Sequence, residues 1–182
     1  MRRSPALPSL LLLLTACASQ NTSPVGTGTR TVSISTAEGT ANLRIRQDDH
    51  ANEQVIALPA DVLWKVLPAV YDSLGIPLST INKAAMTIGV EGHKMRKSLK
   101  GVPLSRYFDC GTTQIGANAD SYEVTLFLIT RLKPAQGNST KVEVTMIAQA
   151  RPVERRQNPI TCDTRGTLDA KLFATLKAEA SR

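Results

Sequence analysis

Histidine is scarce in this chain. His50 and His93 are the only two, 43 residues apart in polar stretches, and neither has a second His or a Cys at ligand spacing, so no metal site is expected. No His-Glu-x-x-His and no Gly-x-Ser-x-Gly occurs, which removes the zinc-hydrolase and nucleophile-elbow chemistries. Gly26-Thr27-Gly28 begins like a dinucleotide loop, but Thr31 stands where the third glycine belongs and no strand precedes it. Gly111 and Gly116 have phosphate-loop spacing, yet Ala117-Asn118 replaces the Lys-Ser/Thr pair that would hold phosphate and magnesium. Carboxylates are scattered: Asp48, Asp49 and Asp61 sit where loop and helix-start acids normally sit, and nothing singles out a glycosidase pair. Aromatic residues make up only 4% of the chain, too few for a carbohydrate-stacking platform. Long hydrophobic runs are missing too. The apolar stretch Ala6–Ala16 is broken by Pro8 and Ser9, well short of the roughly 20 residues that span a bilayer. The chain therefore reads as non-catalytic, with no cofactor and no metal.

The start of the chain is more informative. Arg2 and Arg3 form a basic head, Leu10 to Leu14 a short greasy stretch, and Thr15-Ala16 a small-residue cleavage region. Leu14-Thr15-Ala16-Cys17 resembles the lipobox of bacterial lipoproteins: a branched apolar residue, two small residues and the acceptor cysteine. The resemblance implies a signal peptide over residues 1–16, cleavage before Cys17 and lipid on Cys17. An ordinary secretory signal is the alternative, since Thr-Ala-Cys-Ala is also a tolerable cleavage region. A single acyl chain anchors a protein only marginally, at about 0.8 kcal/mol per buried methylene, so the multiple acylation of that family matters. Its sorting rules imply that Ala18, rather than Asp, after the cysteine directs the protein to the outer membrane, facing the periplasm, if the host has two membranes. The rest of residues 17–30 is small and polar and reads as a flexible stalk.

Removal of the leader leaves about 165 residues, one domain and a tether. Lys+Arg falls from 22 to 20 against 15 acids, a net charge of +5. That mild excess suits an anionic membrane surface better than nucleic acid, which the envelope address also argues against. With Cys17 carrying lipid, Cys110 and Cys162 remain as an even pair, and two thiols in an oxidising compartment are expected to form a disulfide. The loop closed is 53 residues, which is worth about 4 kcal/mol in the chain-entropy treatment.

Along the chain, Val32 and Ile34, then Leu43 and Ile45, alternate with polar residues around Glu38-Gly39. This predicts a hairpin and polar loop over residues 31–53, ahead of an α+β domain over 54–182. Val55 to Leu58 reads as a short strand. Val62, Leu63, Val66, Leu67, Val70, Tyr71 and Leu74 form one apolar stripe, predicting a helix opened by Pro59-Ala60-Asp61, stopped by Gly75 and kinked at Pro68. Strands are expected over Leu78–Ile81 and around Met86, Ile88 and Val90, followed by a basic loop from His93 to Arg106. The alternation of Tyr122, Val124, Leu126 and Leu128, and of Val142, Val144, Met146, Ala148 and Ala150, predicts two long strands joined through Pro134 to Asn138. After a loop with Pro152 and Pro159, Asp163 or Thr164 is expected to cap a last helix, Arg165 to Ala180, buried through Leu168, Leu172 and Leu176.

That order predicts an α+β single domain, an antiparallel sheet with two helices packed on one face. Over roughly residues 54–180 it resembles a helix-grip module, and is similar in element order to the BamC-like domains of the β-barrel assembly machinery. The resemblance is topological. It implies a non-catalytic lipoprotein acting as a protein-binding or assembly module, with an envelope protein as partner. A binder of a small apolar ligand or lipid, in a cavity between helix and sheet, is the alternative. Two local features stand out. Lys94, Arg96, Lys97, Lys100 and Arg106 form a basic cluster that either meets anionic lipid phosphates or is a solvated loop. Tyr107 and Phe108, beside Cys110, either seat the loop by packing or frame an apolar groove for a peptide or lipid.

Overall fold

The computed structural model describes residues 29–36, 39–46, 52–154 and 157–182. The leader, the lipobox with Cys17, most of the stalk and His50 lie outside the described residues. Strands β1 (Thr29–Thr36) and β2 (Gly39–Arg46) pair antiparallel with Val32 opposite Leu43 and Ile34 opposite Ala41. Thr29 and Arg30, read as the end of the stalk, belong to β1.

Strand β3 (Asn52–Ile56) leads into helix α1 (Ala60–Leu74). The apolar stripe is what makes α1 a core helix: Leu63, Leu67, Val70, Tyr71 and Leu74 are buried, while Pro68 sits inside the helix on its exposed side. Asp61 in the first turn complements the positive end of the helix dipole. The helix stops at Gly75, whose φ of 73° is left-handed, and the Ile76 N–H reaches back to the Tyr71 carbonyl at 3.0 Å. This is the 6→1 closure that satisfies end carbonyls and seats an apolar residue past the turn. Ile76 is buried there.

Short strand β4 (Thr80–Asn82) pairs with β5 (Thr87–Arg96). A loop was expected from His93 onward, and here the structure corrects the sequence reading. His93, Lys94 and Arg96 belong to β5, because Gly92 (φ 83°) inserts an extra residue as a bulge between the pairs Glu91–Phe127 and His93–Leu126. A small hairpin follows, β6 (Ser98–Leu99) and β7 (Val102–Pro103), turning through Lys100-Gly101 with both φ values positive. A 3-10 turn (Leu104–Arg106), β8 (Phe108–Asp109), β9 (Thr112–Thr113), β10 (Gly116–Ala117) and the one-turn helix α2 (Asn118–Ser121) complete the connection. The long hairpin is β11 (Glu123–Pro134) and β12 (Thr140–Arg151), in register from Glu123–Arg151 to Pro134–Thr140. Strand β13 (Ile160–Thr164) and helix α3 (Thr167–Ala180) end the chain. Asp163 and Thr164 do not cap the helix: they lie in β13, and α3 begins two residues later than expected, after Gly166 at φ 70°.

The result is α+β. Seven strands form one sheet in the order β4-β5-β11-β12-β13-β8, with β3 pairing on β12, and every pairing among the described residues is antiparallel. One edge of β12 is shared, Thr140–Val144 by β3 and Ala148–Ala150 by β13. Val124, Leu126 and Leu128 of β11 and Val142, Val144 and Ala148 of β12 are wholly buried, together with Ile88 of β5. Helix α1 reaches this face through Tyr71, whose hydroxyl shares a 2.8 Å hydrogen bond with Thr130 Oγ1 and points at the Ile88 carbonyl at 3.3 Å. Burial pushes the Tyr71 phenol well above its ordinary pKa, the bond to Thr130 opposing that shift only partly. Helix α3 packs on α1 and touches β3, with Leu168, Leu172, Phe173 and Leu176 buried.

Candidate functional site

Cys110 and Cys162 form the expected disulfide, with their Cα atoms 4.2 Å apart. Strand register explains why they meet. Thr164 pairs with Phe108 and Asp163 with Asp109, so the next opposed pair is Cys162 and Cys110, and a Cα separation near 4.5 Å is what a non-hydrogen-bonded antiparallel pair provides. The crosslink therefore extends a two-residue ladder. Around it Tyr107 and Phe108 are buried, their rings 6.2 Å apart, so both seat the loop by packing, and Tyr107 also turns one side to a groove. Asp120 of α2 holds the 3-10 turn by accepting from the Ser105 backbone N–H at 2.8 Å and the Ser105 hydroxyl at 2.6 Å. On the other side Arg165 binds Asp109 at 2.8 Å and donates its backbone N–H to the Tyr107 carbonyl at 2.9 Å. The Thr167 hydroxyl donates to the Arg106 carbonyl at 2.7 Å. These bonds fix the start of α3 against the turn.

A groove of about 550 Å³ runs between that turn and α3. Val102, Tyr107, Ala170 and Ala174 line it with apolar surface, and Arg106 and Lys171 bring two cations to it. Lys171 Nζ donates to Tyr107 Oη at 3.2 Å and lies 5.7 Å from the centre of its ring, so the ammonium sits beyond the hydroxyl edge and not over the ring face. Neither Arg106 nor Lys171 has a carboxylate within ion-pair distance among the described residues.

A second cavity, about 390 Å³, opens between β3 and the β13–α3 connection and is lined by Asn52, Gln54, Arg165, Asp169 and Phe173 among others. It is the more polar of the two. Asp169 is buried and accepts a hydrogen bond from Asn52 Nδ2, while Gln54 Oε1 has no partner among the described residues.

The expected basic cluster is divided. Lys94 and Arg96 stand on β5 and both meet Glu123, at 3.7 and 3.0 Å. Lys97 is exposed at the start of the small hairpin, and Lys100 lies across the end of α1, where a methyl group on Gly75 would come within 2.8 Å of its Cγ. A cation there faces the negative end of the helix dipole. Arg106 instead joins Lys171 at the groove. His93, expected in a loop, stands in β5 opposite Leu126, and partial burial lowers its pKa. Among the described residues no group of three or more His, Cys, Asp or Glu side chains could hold a metal ion. No described helix is long and apolar enough to cross a membrane.

No family model matches the chain, and no curated protein sequence matches it either. The site must be read from its own geometry. Sequence reasoning found Arg106 and Tyr107 but missed Thr167, Ala170, Lys171 and Ala174. Their signal was the i, i+3, i+4, i+7 spacing on the face of α3 opposite Leu168, Leu172 and Leu176.

Proposed function

We propose that this chain is a lipid-anchored protein of the cell envelope, addressed by its leader to an outer membrane facing the periplasm, whose single domain binds a partner protein and catalyses no reaction. The observation that carries the reading is how the three cysteines divide. Cys110 and Cys162 are joined to each other, as suits an oxidising compartment. Cys17 is left over at the position where Leu14-Thr15-Ala16 resembles a lipobox. The helix-grip-like arrangement, similar in element order to BamC-like domains, supports an assembly role. The sheet face opposite the core supports it too. Ile129 and Ile147, half-buried, stand there beside the buried Phe127, in register between two charged groups, Lys94 and Arg96 on Glu123 at one end, and Lys133 and Lys141 on Glu143 and Glu53 at the other. An apolar centre inside a polar rim is the anatomy of a protein interface.

Mass spectrometry of the mature N-terminus tests the anchor: a diacylated or triacylated Cys17 is expected, and an unmodified thiol there or a retained leader overturns it. Photo-crosslinking from Thr145, exposed on that sheet face, tests the partner. One discrete envelope protein is expected, and recovery of monomer alone overturns that role.

The second reading, a binder of an apolar ligand or lipid, draws no support from beneath α1, where Leu63, Leu67, Val70 and Tyr71 are wholly buried in the core. Its support is the groove on α3.

A further inference from the structure

We propose that the groove between the 104–107 turn and α3 binds one molecule of a single-chain anionic phospholipid, its phosphate held by Arg106 and Lys171 and its acyl chain lying along Val102, Tyr107, Ala170 and Ala174. The first argument is charge. Other described cations, Lys65, Lys83 and Lys97 among them, also lack an ion pair, but the two groove cations, 65 residues apart in sequence, converge on one apolar-lined site with no acid within ion-pair distance among the described residues. A guanidinium and an ammonium together match a phosphate, the first by its bidentate fork and the second as a point charge.

The second argument is what the rest of the groove cannot do. The Thr167 hydroxyl is donated to the Arg106 carbonyl, and the Tyr107 hydroxyl accepts from Lys171. The Tyr107 N–H is bonded to the Leu104 carbonyl, and its own carbonyl accepts from Arg165. The wall formed by Ala170, Lys171 and Ala174 lies past the first turn of α3, with its main-chain groups bonded within the helix. A bound peptide would find no row of main-chain donors and acceptors to pair with, so the occupant is a chain without polar groups along its length. An acyl chain meets that condition, and about 550 Å³ lies in the range of single-ligand sites.

The groove is built only from residues 102–107 and 167–174, so the inference stands apart from the acylation of Cys17 and from the partner protein. The test is photolabelling of the full chain in phosphatidylcholine membranes doped with lysophosphatidylglycerol carrying a diazirine on its acyl chain. Adducts are expected on the peptides bearing Tyr107 and Ala174. Arg106→Gln and Lys171→Gln, both exposed, should each lower labelling about tenfold, the equivalent of one charge-assisted contact. Ala174→Trp should fill the floor and abolish it, while Ala178→Trp, one turn further along α3, leaves it unchanged. A zwitterionic lysophosphatidylcholine probe should label about tenfold less. The proposal is overturned by adducts spread over the surface, by equal labelling from the zwitterionic probe, by labelling indifferent to Arg106→Gln and Lys171→Gln, or by competition from glycerol phosphate alone, which would make this a simple anion site. Displacement by an apolar peptide with a free C-terminal carboxylate, where the lysophospholipid fails to label, would assign the groove to a peptide instead.

Discussion

Replacing Cys110 and Cys162 together by alanine should cost about 4 kcal/mol, because reopening a 53-residue loop returns that much conformational entropy to the unfolded chain. A domain of this size is stable by only about 5–15 kcal/mol, so the change removes a large fraction of the total. The native state itself should alter little, since the cysteines already occupy opposed positions of a ladder begun by Phe108–Thr164 and Asp109–Asp163. Two consequences separate this account from a simple loss of packing. The denatured state should expand, so the urea m-value should rise along with the fall in midpoint. Loosening should also start at β8, whose pairing is only two residues long, so amides from Phe108 to Ser121 should exchange with solvent ahead of those in β11 and β12. Trp64, the only tryptophan and packed against the core from α1, reports global unfolding by fluorescence. A double-alanine chain within about 1 kcal/mol of the parent and with an unchanged m-value would refute the reasoning.

Tyr71→Phe should cost about 1–2 kcal/mol by leaving the buried Thr130 hydroxyl short of its partner, measured by urea titration. The same residue sets an alkaline limit: its folded pKa is raised, so its contribution is complete below the ordinary value near 10 and declines as pH rises past it, when the phenol ionises only in the unfolded chain. The parent should lose stability there relative to Tyr71→Phe, and parallel pH profiles would contradict this. Gly89→Ala should be destabilising by about 3 kcal/mol in thermal unfolding, since its Cβ would fall 2.1 Å from the Leu128 carbonyl oxygen and force β5 off β11. Glu123→Gln should change stability by less than about 1 kcal/mol, its bonds to Lys94 and Arg96 being at the surface, yet raise low-salt binding to anionic vesicles.

Elements that bury one face over many residues were legible in the sequence. The stripe from Val62 to Leu74 and the alternation from Val124 to Ala150 each repeat a period several times, and each is a core element. Interrupted periods were not. Gly92 shifts β5 by one residue, so Met95, which is buried, falls out of phase with Ile88 and Val90, and the strand looks like the start of a loop. Strands β8 and β13 carry no alternation of their own. They exist because β12 leaves its edge open at Ala148–Ala150 and because a disulfide holds them together, both tertiary causes that no local window contains. The pairing itself was legible only through parity, once Cys17 was set aside.

The groove was hidden for a different reason. Ala170 and Ala174 lie on the side of α3 that an amphipathic reading assigns to water, and small side chains there leave the depression that Val102 and Tyr107 close from the opposite wall. Charge is likewise distributed by the fold and not by the run from Lys94 to Arg106. Folding pairs Lys94 and Arg96 with Glu123 and sets Lys100 over the end of α1, so only Arg106 of those five cations reaches the groove, where Lys171 joins it. The difference is measurable. Affinity for an anionic amphiphile should fall with added salt as expected for about two charges, against about five if the whole run bound a surface together. A slope near the larger figure, insensitive to Lys171→Gln, would return the function to the loop and leave the groove without a role.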